Sequence, residues 1–185
     1  MRIISGKYRG KVIRPPKNFR ARPTTDFAKE GLFNILINSF DFTELKVLDL
    51  FSGTGSIGLE FASRETDFVE MVEKNHMHYD FINKTIQNMQ INNARVIKTD
   101  AFTYIDHIKQ SFDIIFADPP YDMEKAETLP EIILSSEILK PGGWFIFEHS
   151  KNLEYSNHPD CFDQRAYGSV HFSFFKKPNN KNEDN

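Results

Sequence analysis

Short apolar runs alternate along most of this chain with stretches whose apolar residues recur at helical spacing. Lys46–Leu50, Phe68–Val72, Arg95–Lys98, Phe112–Ala117 and Trp144–Glu148 are brief and rich in Val, Ile, Leu and Phe, and they read as buried strands. Residues 76–91 carry Tyr79, Ile82, Ile86 and Met89 three and four apart, which predicts an amphipathic helix. A helix reaching about Gln110 is expected before the fourth run, and residues 124–139 predict a helical stretch interrupted by Pro130. Ahead of the first run, Thr24, Thr25 or Asp26 caps a helix bearing Leu32, Phe33, Ile35 and Leu36. Sustained alternation of strand and helix implies right-handed crossovers, a parallel sheet, and ligand sites at the carboxyl ends of the strands.

The two ends depart from this rhythm. Phe162–Tyr167 and Ser169–Phe175, separated at Gly168, predict a closing hairpin with Val170, Phe172 and Phe174 on one face. Lys140-Pro141-Gly142-Gly143 reads as a turn, and residues 151–159 are too short and polar for a helix. At the other end, Arg2–Ser5 and Lys11–Arg14 predict two short strands joined through Gly6-Lys7-Tyr8-Arg9-Gly10. The expected organisation is a basic N-terminal hairpin and connector over residues 1–23, a single α/β domain over 24–177 and a disordered polar tail over 178–185.

Length and charge sharpen this picture. A chain of 185 residues suits one domain with a full core. Its single cysteine, Cys161, has no disulfide partner and reads as a small core residue; with no secretory signal or long apolar span, a soluble cytoplasmic protein is expected. Net charge is −3, but residues 1–23 hold eight cations and no acid, leaving 15 basic against 26 acidic residues beyond them. The two parts therefore face different partners. Lys7, Tyr8 and Arg9 at the hairpin tip combine cations with an aromatic ring, which suits phosphate contact with base stacking, and Arg2, Lys11, Arg20 and Arg22 extend the basic surface.

Candidate chemistry collects where strands end. The first strand runs into Phe51-Ser52-Gly53-Thr54-Gly55-Ser56-Ile57-Gly58, a glycine loop opening a helix, and Glu73 follows the second strand 20 residues after Gly53. Glycines let backbone approach a ligand, the helix N-terminus offers free N–H groups, and an acid at that spacing suits a ribose. The same pattern matches a dinucleotide fingerprint, so an NAD-dependent oxidoreductase is a rival. Against it, Asp49, Asp100 and Asp118 converge on the same sheet edge, where they repel a pyrophosphate and attract a sulfonium and an ammonium group. Asp118-Pro119-Pro120-Tyr121 leaves the fourth strand as a stiff arm carrying a carboxylate and a ring; taken alone, it also reads as a plain strand stop. His76 and His78 point to different helix faces and make a poor metal pair; no metal is expected, and both read as surface residues.

Val47–Gly55 resembles the first motif of class I S-adenosylmethionine-dependent methyltransferases, and Asp118–Tyr121 resembles the motif that acts on exocyclic nitrogens of nucleobases. The opening Arg2–Gly10, the segment Arg22-Pro23-Thr24-Thr25-Asp26 with Glu30, Leu32, Phe33 and Asn34, and Tyr167-Gly168 narrow the resemblance to RsmD-type methyltransferases, a bacterial family that modifies guanine N2 in 16S ribosomal RNA. It implies a Rossmann-like α/β fold, a seven-stranded mostly parallel sheet with helices on both faces, S-adenosyl-L-methionine as cofactor, and RNA within a small-subunit particle as partner. By position it implies that Asp49 and the backbone of Phe51, Ser52, Gly53, Thr54 and Gly55 hold the methionine moiety. Glu73 takes the ribose hydroxyls, Asp100 and the Ala101 amide the adenine, and Asp118, Pro119, Pro120 and Tyr121 the target amine and base. Thr24 or Thr25 is placed near the cofactor's mouth. Gly31, a poor helix former inside the early helix, and a shortened helix after the fifth strand depart from the pattern. A DNA adenine-N6 methyltransferase shares the chemistry, and a catalytically silent RNA-binding protein is a further rival.

Overall fold

The structure is a computed structural model and describes residues 1–16, 19 and 24–179. Arg20, Arg22 and most of the expected basic connector lie outside the described residues, as does the tail from Asn180. Seven strands form one sheet: β1 (Lys46–Asp49), β2 (Phe68–Val72), β3 (Ala94–Ile97), β4 (Phe112–Ala117), β5 (Leu139–His149), β6 (Cys161–Tyr167) and β7 (Val170–Lys176). Their spatial order is β3-β2-β1-β4-β5-β7-β6, with the first five parallel and β7 antiparallel to both neighbours. Five helices cover the sheet: α1 (Asp26–Ile37), α2 (Ser56–Ser63), α3 (His76–Asn88), α4 (Ala101–His107) and α5 (Leu129–Ser135).

Strand alternation divides the core. Val47, Ile114, Phe116 and Ile146 pack with Leu32, Phe33 and Leu36 of α1, Phe61 of α2 and Ile82 of α3. Leu48, Ile115, Phe145 and Phe147 face the other way, onto Tyr104 and Ile105 of α4 and Leu129 and Ile133 of α5. Both faces of the central strands are therefore buried, which is why they read as unbroken apolar runs.

Four local expectations are corrected. Pro130 does not interrupt a helix; it lies in the first turn of α5, where its missing N–H costs nothing, and a separate one-turn helix covers Ala126–Thr128. Lys140–Gly143 is not a turn outside the sheet but the early part of β5. There Gly142 at φ 73° donates to the Lys177 carbonyl and Gly143 accepts from the Lys177 N–H, so pairing continues through an irregularity. Gly31 is not a flaw in α1, because a Cβ there would sit 2.2 Å from the Tyr167 ring, and only glycine lets that ring lie on the helix. The N-terminal hairpin has a single antiparallel bridge, Arg2 to Val12, in place of two strands.

The last difference has a physical cause. The amides of Ile4 and Ser5 turn away from the hairpin and donate to the two carboxylate oxygens of Glu60 in α2, at 2.8 and 3.0 Å. Lys7 N–H donates to the Ser63 carbonyl and Tyr8 N–H to its hydroxyl, while Ile3 and Ile13 enter the core. Glu60 is fully buried; it also pairs with Lys29 of α1 at 3.4 Å and with Arg64 at 3.1 Å. The Lys29 ammonium, itself buried, donates to the Arg2 carbonyl at 2.6 Å. Burial lowers its pKa, and the adjacent Glu60 works against that shift. Removing Glu60 strands a buried lysine and two amides. Glu60→Ala is expected to cost about 3–5 kcal/mol in urea denaturation, with loss of hydrogen-exchange protection at Ile4 and Ser5; protection equal to wild type would show that the arm docks without this carboxylate.

Candidate active site

The carboxyl edge of the parallel strands collects acids from five consecutive positions in the sheet. In spatial order they are Asp100 after β3, Glu73 after β2, Asp49 ending β1, Asp118 after β4 and Glu148 near the end of β5. Between β1 and α2 the chain turns through Gly53 (φ 53°) and Gly55 (φ 75°), with the Gly55 N–H on the Ser52 carbonyl at 2.6 Å. Gly55 provides no side-chain cap to α2, and of the first-turn N–H groups Gly58 donates to Asp49. Gly58 serves packing: a Cβ there would meet Met71 of β2 at 2.5 Å.

Asp49 is 1% exposed. One of its oxygens accepts from Gly58 N–H at 3.2 Å, while Oδ1 is buried without a partner. Burial is the main force pushing its pKa up to about 7, and the negative charges of Asp118 and Glu73 add to it. A buried acceptor without a donor, inside a cluster of like charge, fits a ligand that brings both a donor and a positive charge. Glu73 clamps the loop, accepting from Gly53 N–H at 2.8 Å and Asn75 N–H at 2.6 Å, with lone pairs left for hydroxyl donors. Asp100 caps α4 through Phe102 and Thr103 N–H and pairs with Lys74 at 3.0 Å. Beside it an open cleft of 590 Å³ is lined by Asp100, Phe102, Ile105 and Met123, which suits a flat ring. Ala101 is buried at this cleft's edge, and Ser52 and Thr54 pack inward beneath the loop while Phe51 stays half-buried.

Asp118 is half-buried, Pro119 is buried, and Pro120 and Tyr121 project outward, with Tyr121 68% exposed. The sequence reading missed Glu148. Ala117 pairs with Phe147, so the next residues, Asp118 and Glu148, sit side by side at the ends of neighbouring strands. Burial holds the Asp118 carboxyl well above the usual range, and the neighbouring Glu148 charge raises it further; Glu148 is pushed by burial up to about 7. Thr24 Oγ1 donates to Glu148 at 3.3 Å, whereas Thr25 caps α1. An available signal was the acid closing each apolar run; Glu148 closes the fifth. His78, read as a surface residue, is 12% exposed at the side chain and lies 3.7 Å from Glu73, while His76 is exposed. Cys161 is half-buried on the edge strand β6, outside the core proper. The basic tip is split: Lys7, Arg9 and Lys11 are exposed, Arg2 pairs with Asp26 and Glu30, and the half-buried Tyr8 ring reaches the Gln90 carbonyl at 3.4 Å. Among the described residues no cluster of three or more metal-ligating side chains occurs, and no helix is long and apolar enough to cross a membrane.

The fold has clear relatives. A hypothetical protein of Thermus thermophilus superposes with a TM-score of 0.82 at 28% identity, over 95% of this chain and 98% of that one. An RNA methyltransferase from Salinibacter ruber, in complex with S-adenosyl-L-homocysteine, shares the fold at a TM-score of 0.66 and 14% identity, over 88% of this chain and 98% of that one. Fold and glycine loop together define a Rossmann-like methyltransferase of class I. The family described as Conserved hypothetical protein 95 matches residues 1–176. Ribosomal RNA small subunit methyltransferase D of Escherichia coli (strain K12) is 31% identical over 148 residues, 80% of this chain and 71% of that protein. Its namesake in Haemophilus influenzae is 30% identical over 156 residues, 82% of this chain and 80% of its own. The chain therefore belongs to this RsmD-type methyltransferase family.

Asp49 binds a proton more tightly folded than unfolded, so its ionisation costs stability as pH rises from about 4 to about 7. Asp49→Asn is expected to gain thermal stability relative to wild type progressively across that window in ligand-free melts. A difference independent of pH would mean that Asp49 is not held protonated by the fold.

Proposed function

We propose that the protein transfers a methyl group from S-adenosyl-L-methionine to the exocyclic N2 amine of a guanine in 16S ribosomal RNA, presented within a small-subunit particle in the cytoplasm. The carrying observation is Asp118-Pro119-Pro120-Tyr121 standing at the end of β4, next to the acid-lined edge of β1 and β2. Family membership supports the RNA substrate.

The residues present fit the cofactor. The unpartnered Asp49 oxygen and the glycine-loop amides suit its amino-acid end, Glu73 its ribose, and Asp100 with the Ala101 amide its adenine. When bound, it supplies an electrophilic methyl carried on a sulfonium. The chain's own residues do the rest. A guanine N2 lone pair is delocalised into the ring and is a weak nucleophile. Asp118 and the Pro119 carbonyl accept the two N2 hydrogens, favour the pyramidal amine and aim its lone pair along the line of attack. The cofactor would supply the methyl group and keep the electron pair of the sulfur–carbon bond, and positive charge would grow on N2. The Asp118 carboxylate stabilises that charge and receives the departing proton. Tyr121 offers its exposed face to the base, which must leave its stack to enter the cleft.

Lys7, Arg9 and Lys11 contact RNA phosphates, with Arg2, Tyr8, Arg20 and Arg22 adding to the basic surface. In this reading residues 1–23 act as the RNA-binding element and residues 24–177 as the methyltransferase domain.

Incubation with labelled S-adenosylmethionine and small-subunit particles, followed by mapping of the label, should identify one N2-methylguanine; label on an adenine would refute the reading. Asp118→Ala is expected to lower turnover by at least ~1000-fold while sparing S-adenosylhomocysteine affinity, and surviving turnover would remove Asp118 from the mechanism. Replacing Lys7 and Arg9 by Glu should reduce the slope of log affinity against log salt by about 2; an unchanged slope would sink the basic-arm assignment.

A further inference from the structure

Asp118 and Glu148 form a pair whose cost is not met within the described structure. Glu148 is 4% exposed, and its side-chain hydrogen bond is the 3.3 Å donation from the neutral Thr24 hydroxyl. Among the described residues neither acid has a cationic partner. A buried carboxylate beside a half-buried one, with no cation among the described residues, is expensive unless a ligand supplies donors.

Strand alternation directs Glu148 to a definite place. Ile146, two residues earlier in β5, faces the α1 side of the sheet, and Phe116, two before Asp118, faces the same side. Thr24, which reaches Glu148, immediately precedes the α1 cap. Phe27 in the first turn of α1 is 66% exposed, and its ring meets Tyr167 edge-on at 5.5 Å. The group beside Asp118 is therefore a second carboxylate, on the side of the sheet that α1 covers. Such a pair suits a base edge that presents consecutive donors.

Guanine presents two such groups side by side, N1–H and the N2 amine. Adenine and cytosine each flank their amine with a bare ring nitrogen, an acceptor that an ionised carboxylate repels. We propose that Glu148 is the specificity-determining residue, its carboxylate accepting N1–H of the target guanine while Asp118 and the Pro119 carbonyl hold the N2 amine. This rests on the guanine-N2 reading above and separates it from adenine-N6 chemistry. Burial raises the pKa of both acids, and the Glu148 charge raises that of Asp118 further; Tyr121 and Asp49 are the other titratable groups that feel these charges. A donor edge favours the ionised carboxylates, the protons they release passing to solvent.

The test uses RNA substrate carrying guanine or 2-aminopurine at the mapped position. The analogue keeps the 2-amino group but has a bare N1 and no O6. Wild-type protein is expected to use guanine at least ~100-fold better by kcat/KM. In Glu148→Gln, whose amide can either accept from N1–H or donate to a bare N1, guanine use should fall about 10–100-fold while 2-aminopurine use holds or rises, collapsing the ratio. S-adenosylhomocysteine affinity and melting temperature of the variant report whether the fold is intact. A wild type that uses both bases equally overturns the proposal without any variant, and so does a variant that loses both equally. Methylation of guanine with an unchanged ratio rejects Glu148 as selector yet leaves the guanine-N2 function standing, whereas absence of guanine methylation by wild type rejects both.

Discussion

Five parallel strands ending at one edge impose the constraint from which the site follows. A parallel sheet brings every carboxyl end to the same side, and here each of those ends, from β3 through to β5, delivers an acid. The electrostatic consequence is graded. Asp100 is offset by Lys74, and Glu73 is satisfied by two backbone amides. Asp49, Asp118 and Glu148 are progressively left to burial and to one another. The outer end therefore tolerates a neutral sugar and ring, and the inner end demands positive charge or donors. Under the proposed function, the same gradient would order the cofactor along the edge and bring the reacting nitrogen to its most acidic point.

A second constraint joins this edge to the basic arm. Glu60 lies on the helix that the glycine loop opens, and its carboxylate holds two amides of the arm, a lysine of α1 and an arginine at the end of α2. Buried ion pairs of this kind do not add much net stability, but they fix geometry because every alternative leaves a charge unpaired. Arm, first helix and loop helix are held in one arrangement, and Thr24 at the start of α1 extends that arrangement to Glu148.

Much of the fold was legible because its central strands are buried on both faces and so appear as apolar runs. The glycine loop, Glu73, Asp100 and Asp118-Pro119-Pro120-Tyr121 were legible for a different reason: they stand at strand ends, where sequence position is also spatial position. What escaped depended on contacts between distant segments. Gly31 looked like a defect because Tyr167, which occupies the space its missing Cβ leaves, comes from the far hairpin. Lys140–Gly143 carried turn residues, yet the Lys177 backbone holds it in the sheet. The arm's pairing extends only from Met1 to Ile3 because Glu60 and Ser63 take amides further along. Glu148 was visible as the end of a strand, but its role emerges only from its register against Asp118.

The docking of the arm bears on how fast a large substrate is captured. With Ile3 and Ile13 in the core and the amides of Ile4, Ser5, Lys7 and Tyr8 already satisfied, Lys7, Arg9 and Lys11 sit on a preformed surface that needs little ordering on encounter. A fixed cluster of like charge on an otherwise acidic body would, under the proposed function, hold a polyanion at the arm first, so that the target base reaches the acid edge from a chain already bound.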